Sequence, residues 1–435
     1  MMSDMPLFVL AAPLLVVAVL AGLRSPLGVL LAIYAAILPF GSGLTVPLPI
    51  APPFNTLTTL LGLLTIGAVI AHLALVPRRS QRIPLAVPVW LIFLGIAGLT
   101  FMWSISPSTT ADDYAVLASL IVLYMVTSFM PVEHKDMRRI EGAVAAGGAI
   151  TGVYAFFLTA TNNLPLTGSG TPRFATAGGT GDAADPNITA AALLLPLTIG
   201  AGRAMRREER PIVRLAFAAC SALSGGAIAM TGSRGGMIAG FIAVLIVAFH
   251  ERRRSIMAMV AVGTVLVIGV AAATAPADLL GHVGKGSSSG RTDIWRIGLH
   301  GCVTYCWIGS GYATFPEVYR RVEGSTPAAS APRATYKAHN VALRVMVETG
   351  YLGLLVMLIG FGLILRDVMR LPRALRGMPL AGVAGVLIAN LFLGNIDFKY
   401  FWLALMYGTL WTVAEATPER DTPAVMPRRQ LATVG

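Results

Sequence analysis

Three short stretches combine residue types suited to chemistry on an anionic substrate: AMTGSRGGMIAG around Arg234, SSSGRTDIWRIG around Arg291, and YKAHNVALRVMVETG around His339. Arg234 sits between two apolar runs with almost no loop, among small residues, Ser233 included, that let a helix or a substrate approach closely. A helix beginning there offers unpaired N–H groups to an anion, and a guanidinium can grip phosphate through a two-pronged fork. The same Arg could equally snorkel to the interface and anchor the turn. Arg291 lies where flexible polar residues give way to an amphipathic helix, with Trp295 suited to the membrane interface and Arg296 flanking it. A solvated loop charge is the simpler alternative. His339 precedes a long apolar run, which places it near the membrane boundary. A neutral imidazole, with a reference pKa of about 6.5, could take the proton from a sugar hydroxyl, and Asn340 could orient it or bond a sugar. A polar helix start without a catalytic part accounts for the same two residues.

Other polar residues have more local explanations. Arg344 and Glu348 are spaced to pair within one helix, and inside a membrane each needs such a partner, so their reading is structural. In RFATAGGTGDAADPNITAA, Asp185 can cap the next helix and Pro186 suits its first turn. The glycines, Arg173 and Asp182 ahead of them make a flexible polar mouth that could contact sugar. Cys302 and Cys306 are four apart and could share a helix face; they read as small buried hydrophobes rather than as a disulfide or metal ligands. With Cys220 they make three cysteines, too few for a disulfide scaffold. No His/Cys grouping has zinc spacing, so neither a metal nor a cofactor is expected. GHVGKGS lacks the ending and the spacing of a phosphate-binding loop.

The elements that must position these residues are membrane helices. Of 435 residues, 55% are hydrophobic and 12% charged, roughly half the charged fraction of a soluble domain. The apolar residues fall in blocks of about 15–25, the length that crosses hydrocarbon as a helix. Thirteen such runs extend from 6–22 to 399–415, with 256–274 and 340–365 flanking a long loop; the second run, 27–40, is short enough to make twelve equally defensible. The fold class is therefore an all-α polytopic membrane protein of 12–13 transmembrane helices, with residues 1–415 as one transmembrane domain and 416–435 as a polar cytoplasmic tail. No basic residue precedes the first apolar run, which reads as a membrane segment rather than a cleavable signal. The net charge of +12 concentrates in alternate loops, such as Arg203, Arg206, Arg207, Arg210 and Arg214, or Arg252, Arg253 and Arg254. That alternation marks cytoplasmic loops, so the excess charge sets orientation and calls for no nucleic-acid partner. The complementary loops, above all 161–187 and 275–338, face outward. Arg173, Arg234 and Arg291 then lie on the outer side, where the inside rule does not explain them.

TGSRGG in an outward turn, SGRTDIWR in a long outward loop, GSGYATF within it and AHNVALRVMVETGYLGLL re-entering the membrane together resemble the O-antigen ligase and polymerase superfamily. RFATAGGTGDAADPN before a helix fits the same pattern. The resemblance implies a GT-C-like fold in the bacterial cytoplasmic membrane and a metal-independent, inverting glycosyltransferase. Its implied partners are a polyprenyl-diphosphate-linked glycan, a glycan or lipid acceptor, and membrane lipids. By motif, Arg234 and Arg291 would bind the diphosphate and His339 would activate the acceptor; Arg173, Asp182, Ser233, Arg296 and Asn340 stand as further substrate contacts. A ligase, a surface-polysaccharide polymerase and a protein O-oligosaccharyltransferase all fit. A lipid-linked oligosaccharide flippase or transporter is the rival of a different class, but it would place its ionisable groups near the bilayer midplane.

Overall fold

The computed structural model describes residues 22, 25–44, 46, 55–76, 83–167, 172–176, 185–251, 291–325 and 337–417. In chain order the described helices are α1 (Leu27–Gly41), α2 (Leu57–Leu75), α3 (Ala86–Leu99), α4 (Pro107–Ser128), α5 (His134–Ala160), α6 (Pro186–Ala192) and α7 (Leu194–Met205). There follow α8 (Pro211–Met230), α9 (Arg234–His250), α10 (Arg291–Tyr305), α11 (Phe315–Val322), α12 (Val341–Met369), α13 (Arg373–Asn390) and α14 (Lys399–Ala416). The ends follow local chemistry. Proline occupies the first turn of α4, α6, α8 and α11, where its missing N–H costs nothing. Side chains of Thr56, Asp185, Ser233 and Asn340 cap α2, α6, α9 and α12.

Among the described residues, seven helical spans are long and apolar enough to cross a membrane: α2, α3 with its extension to Trp103, α4, α5, the joined α6–α7, α8 and α12. The helices α1 and α9 are shorter and also apolar. This is an integral membrane protein. Residues 6–21 of the first expected run, the run 256–274, Asp182, and the tail beyond residue 417 lie outside the described residues.

The core is built around α14. Its Phe401, Trp402, Leu405 and Met406 are fully buried, and Tyr407 nearly so. The Trp402 ring lies 5.0 Å from Trp90 of α3, which lies 5.2 Å from Phe361 of α12. Leu91, Ile92, Leu352, Leu355 and Leu358 stay exposed on α3 and α12, as side chains facing hydrocarbon do. At the opposite end of α7 from Asp185, Arg203 reaches Glu141 of α5 at 3.3 Å and Glu209 at 2.9 Å. Tyr407 and Trp411 of α14 also donate to Glu141, at 2.8 and 3.2 Å.

Two features depart from the sequence reading. The continuous helix expected from residue 340 breaks at Gly350 (φ 77°, ψ 179°), a conformation open in practice to glycine alone. The turn after α10 fills that break. Ser310 and Gly311 donate backbone N–H groups to the carbonyls of Val347 and Glu348 at 2.9 and 3.1 Å, and Tyr351 donates to Cys306 at 2.8 Å. A Cβ at Gly350 would lie 2.8 Å from the Trp307 carbonyl oxygen. The second departure is a correction: Cys302 and Cys306 are joined in a disulfide, with Cα atoms 4.5 Å apart. The helix α10 stops at Tyr305, leaving Cys306 one turn beyond Cys302 at a separation that a disulfide spans.

Candidate functional site

Arg234 is the first residue of α9. The Thr231–Ser233 turn before it is closed by hydroxyls: Thr231 Oγ1 donates to the Ile228 carbonyl at 2.6 Å and accepts from Ser233 N at 3.1 Å, while Ser233 Oγ accepts from Gly236 N at 3.2 Å. Residues 172–176 lie against this turn, with Phe174 N donating to the Met230 carbonyl at 3.2 Å. Arg173 is thereby buried, and its Nε donates to the Thr231 carbonyl at 2.6 Å. Arg291 begins α10, and its guanidinium lies 5.9 Å from the centroid of the Phe392 ring, within reach of a cation–π contact. The same ring covers Gly235, where an added Cβ would approach it to 3.2 Å. Phe392 thus packs between the segments that carry Arg234 and Arg291.

The three guanidinium groups share one field. Burial pushes Arg173 below the ordinary arginine pKa; Asp185 pulls it back up, and Arg291 and Arg234 push it down. Burial likewise lowers Arg291, with Arg234 adding repulsion and Asp185 opposing it. Arg173 and Arg291 remain charged even so, since arginine starts so high. Among the described residues, these three positive groups and Asp185 leave two net positive charges, an arrangement fitted to a dianion.

The backbone at His339 adjoins the other side of the turn that holds Phe392. His339 is in the left-handed region (φ 48°), uncommon for a residue with a Cβ. Both neighbours pin it there. Trp295 Nε1 of α10 donates to the Ala338 carbonyl at 3.1 Å. Asn340 caps α12 through Leu343 N at 3.0 Å and donates to the Leu391 carbonyl at 3.3 Å. The turn 391–394 therefore touches the residue after His339, and through Phe392 it touches Arg291 and the start of α9.

A buried ionic clamp lies one turn further along α12. Arg344 forms the expected pair with Glu348, at 3.1 Å, and also grips both oxygens of Asp397 at 2.8 and 3.2 Å. It donates in addition to the Gly394 carbonyl. The clamp fixes the turn 391–397 against the start of α12, as good geometry must when charges are taken out of water.

Arg173, Arg234, Arg291, Ser233, His339 and Asn340 are thus gathered around one pair of turns. Arg296 is not among them: it is exposed, five positions and about 140° round the helix from Arg291. Asp182 lies outside the described residues. Phe392 and Asp397 join the site without having been singled out in the sequence. Asp397 carried a signal, as a carboxylate in the short polar turn between two apolar runs; Phe392 carried none.

Comparison with curated proteins gives no match. Residues 219–358, the segment holding Arg234, Arg291, His339 and Asn340, match the family model of O-antigen ligase.

Proposed function

We propose that this protein transfers a glycan from a polyprenyl-diphosphate carrier to an acceptor hydroxyl at the outer face of the bacterial cytoplasmic membrane. Arg234 and Arg291, with Arg173 behind them, bind the diphosphate. His339 takes the acceptor's proton as its oxygen attacks the anomeric carbon. The bond from that carbon to the diphosphate oxygen breaks, and polyprenyl diphosphate leaves with the electron pair. One displacement from the face opposite the leaving group inverts the anomeric centre. The guanidinium groups stabilise charge where it grows, and the imidazole raises the nucleophilicity of the acceptor oxygen.

The observation that carries this reading is the convergence of Arg291, the residue after Arg234 and the neighbours of His339 on the turn 391–394, with Arg173 bonded to the turn that precedes Arg234. Two further facts favour the outer face. The 20 residues of α8, about 30 Å of helix, separate the arginine-rich 203–214 segment from Arg234, and basic segments stay in the cytoplasm. The Cys302–Cys306 disulfide suits an oxidising compartment. The family supports lipid-linked glycans as substrates.

The test is deletion of the gene in its host, followed by separation of the surface glycans on a gel. Polymer missing from its anchor, with lipid-linked polymer accumulating, identifies a ligase. Single repeat units on the anchor identify a polymerase. Unchanged surface and lipid-linked glycans contradict the proposal.

A further inference from the structure

We propose that Asp185 sets the net charge of the diphosphate pocket and thereby governs release of the polyprenyl diphosphate product, a role that rests on the transferase reading above. The placement of Asp185 is rigid. Its Oδ1 accepts from Asn187 N at 2.7 Å and from Asn187 Nδ2 at 3.2 Å, which caps α6. Its own carbonyl accepts from Thr189 Oγ1 at 3.1 Å, and that hydroxyl accepts from Thr176 N at 3.0 Å. Asp185 is therefore tied to the segment carrying Arg173. Ala190, in the same helix, packs against Gly236, two residues from Arg234. Among the described residues the carboxylate closes no ion pair with an arginine. Its charge is nevertheless felt by Arg173 and Arg291. It tunes the pocket through space.

The reason for such a group lies in the charge of the reaction partners. A diphosphate esterified at both ends carries one negative charge on each phosphate, matching the net charge of the pocket. Once the glycan has left, the terminal phosphate is free at one oxygen and takes up most of a further charge. Without that carboxylate the arginines would hold this product more tightly than the donor, and turnover would stall on release. One fixed carboxylate weakens the grip on both and moderates the tighter one.

The substitution Asp185→Asn separates charge from capping, because Asn and Asp cap helices about equally well. Asp185→Ser is a second neutral cap, and Asp185→Glu retains the charge. Each variant, purified and reconstituted in nanodiscs, is assayed for glycan transfer with added polyprenyl diphosphate as inhibitor. The expected result is about tenfold tighter inhibition in the Asn and Ser variants, the scale of one unit charge acting across a partly solvated pocket. Multiple-turnover rates should fall more than single-turnover rates, and Glu should track the wild type. Inhibition unchanged or weakened in the neutral variants overturns the proposal and leaves Asp185 as a cap, with the transferase reading intact. Wild-type protein that polyprenyl diphosphate does not inhibit, and to which Arg291→Ala makes no difference, overturns both.

Discussion

Arg291 supplies both a charge and a planar fork, and substitution can separate them. Arg291→Lys keeps the charge but loses the paired donors, so transfer by purified, reconstituted protein should fall about tenfold. Arg291→Ala should fall further and weaken donor binding, since both the fork and the charge are gone. His339→Ala should lower turnover by about 10²-fold or more with little change in donor KM, because the imidazole acts on the acceptor and not on the diphosphate. Equal loss of donor binding in the His339 and Arg291 variants would contradict this division of labour. These residues were visible in the sequence because the inside rule does not account for polar and cationic side chains on the segments that alternate with the arginine-rich loops. Phe392 was not. A phenylalanine in LFLGNIDFK looks like any membrane residue until packing sets Arg291 on one side of it and Gly235 on the other. Nor could spacing reveal that Arg173 is bonded to Thr231, 58 positions away.

The helix α12 is the element on which the site depends, because its start holds His339 and its first turns hold the clamp. Arg344→Met leaves Glu348 wholly buried without its cation, at a cost of about 3–5 kcal/mol. Thermal unfolding in detergent should show a clearly lower midpoint, with part of the loss recovered in Arg344→Met/Glu348→Met. Gly350→Ala should destabilise by about 1–3 kcal/mol from backbone strain alone, and transfer should fall with it as the α10–α11 turn loses its seat. An unchanged midpoint in Gly350→Ala would mean that the break in α12 does not form. The Arg344–Glu348 pair could be read from its spacing, since helical neighbours at that interval meet wherever the helix exists. The break could not. One glycine in an apolar run is compatible with an unbroken membrane helix; the break appears only because backbone N–H groups from Ser310 and Gly311 compete for this segment's carbonyls. The disulfide escaped for a related reason: it depends on α10 ending at Tyr305.

At the scale of the whole molecule, helix positions were legible because apolar run length is a signal that needs no tertiary contacts. The proposed orientation rests on charge in alternate loops, and labelling tests it. In a Cys220→Ala background, a cysteine replacing exposed Arg321 should react with a membrane-impermeant maleimide in spheroplasts. A cysteine replacing exposed Glu208 should react only after the membrane is opened. The reverse pattern would put the arginine pocket in the cytoplasm and remove it from outer-face chemistry. The decisive measurement is made in proteoliposomes holding only this protein, a polyprenyl-diphosphate glycan and an acceptor. Transferase chemistry predicts a new glycosidic linkage and one free polyprenyl diphosphate for each glycan moved, both lost in His339→Ala. Movement of the lipid-linked glycan across the bilayer without any new linkage, or undiminished transfer by His339→Ala, would contradict it.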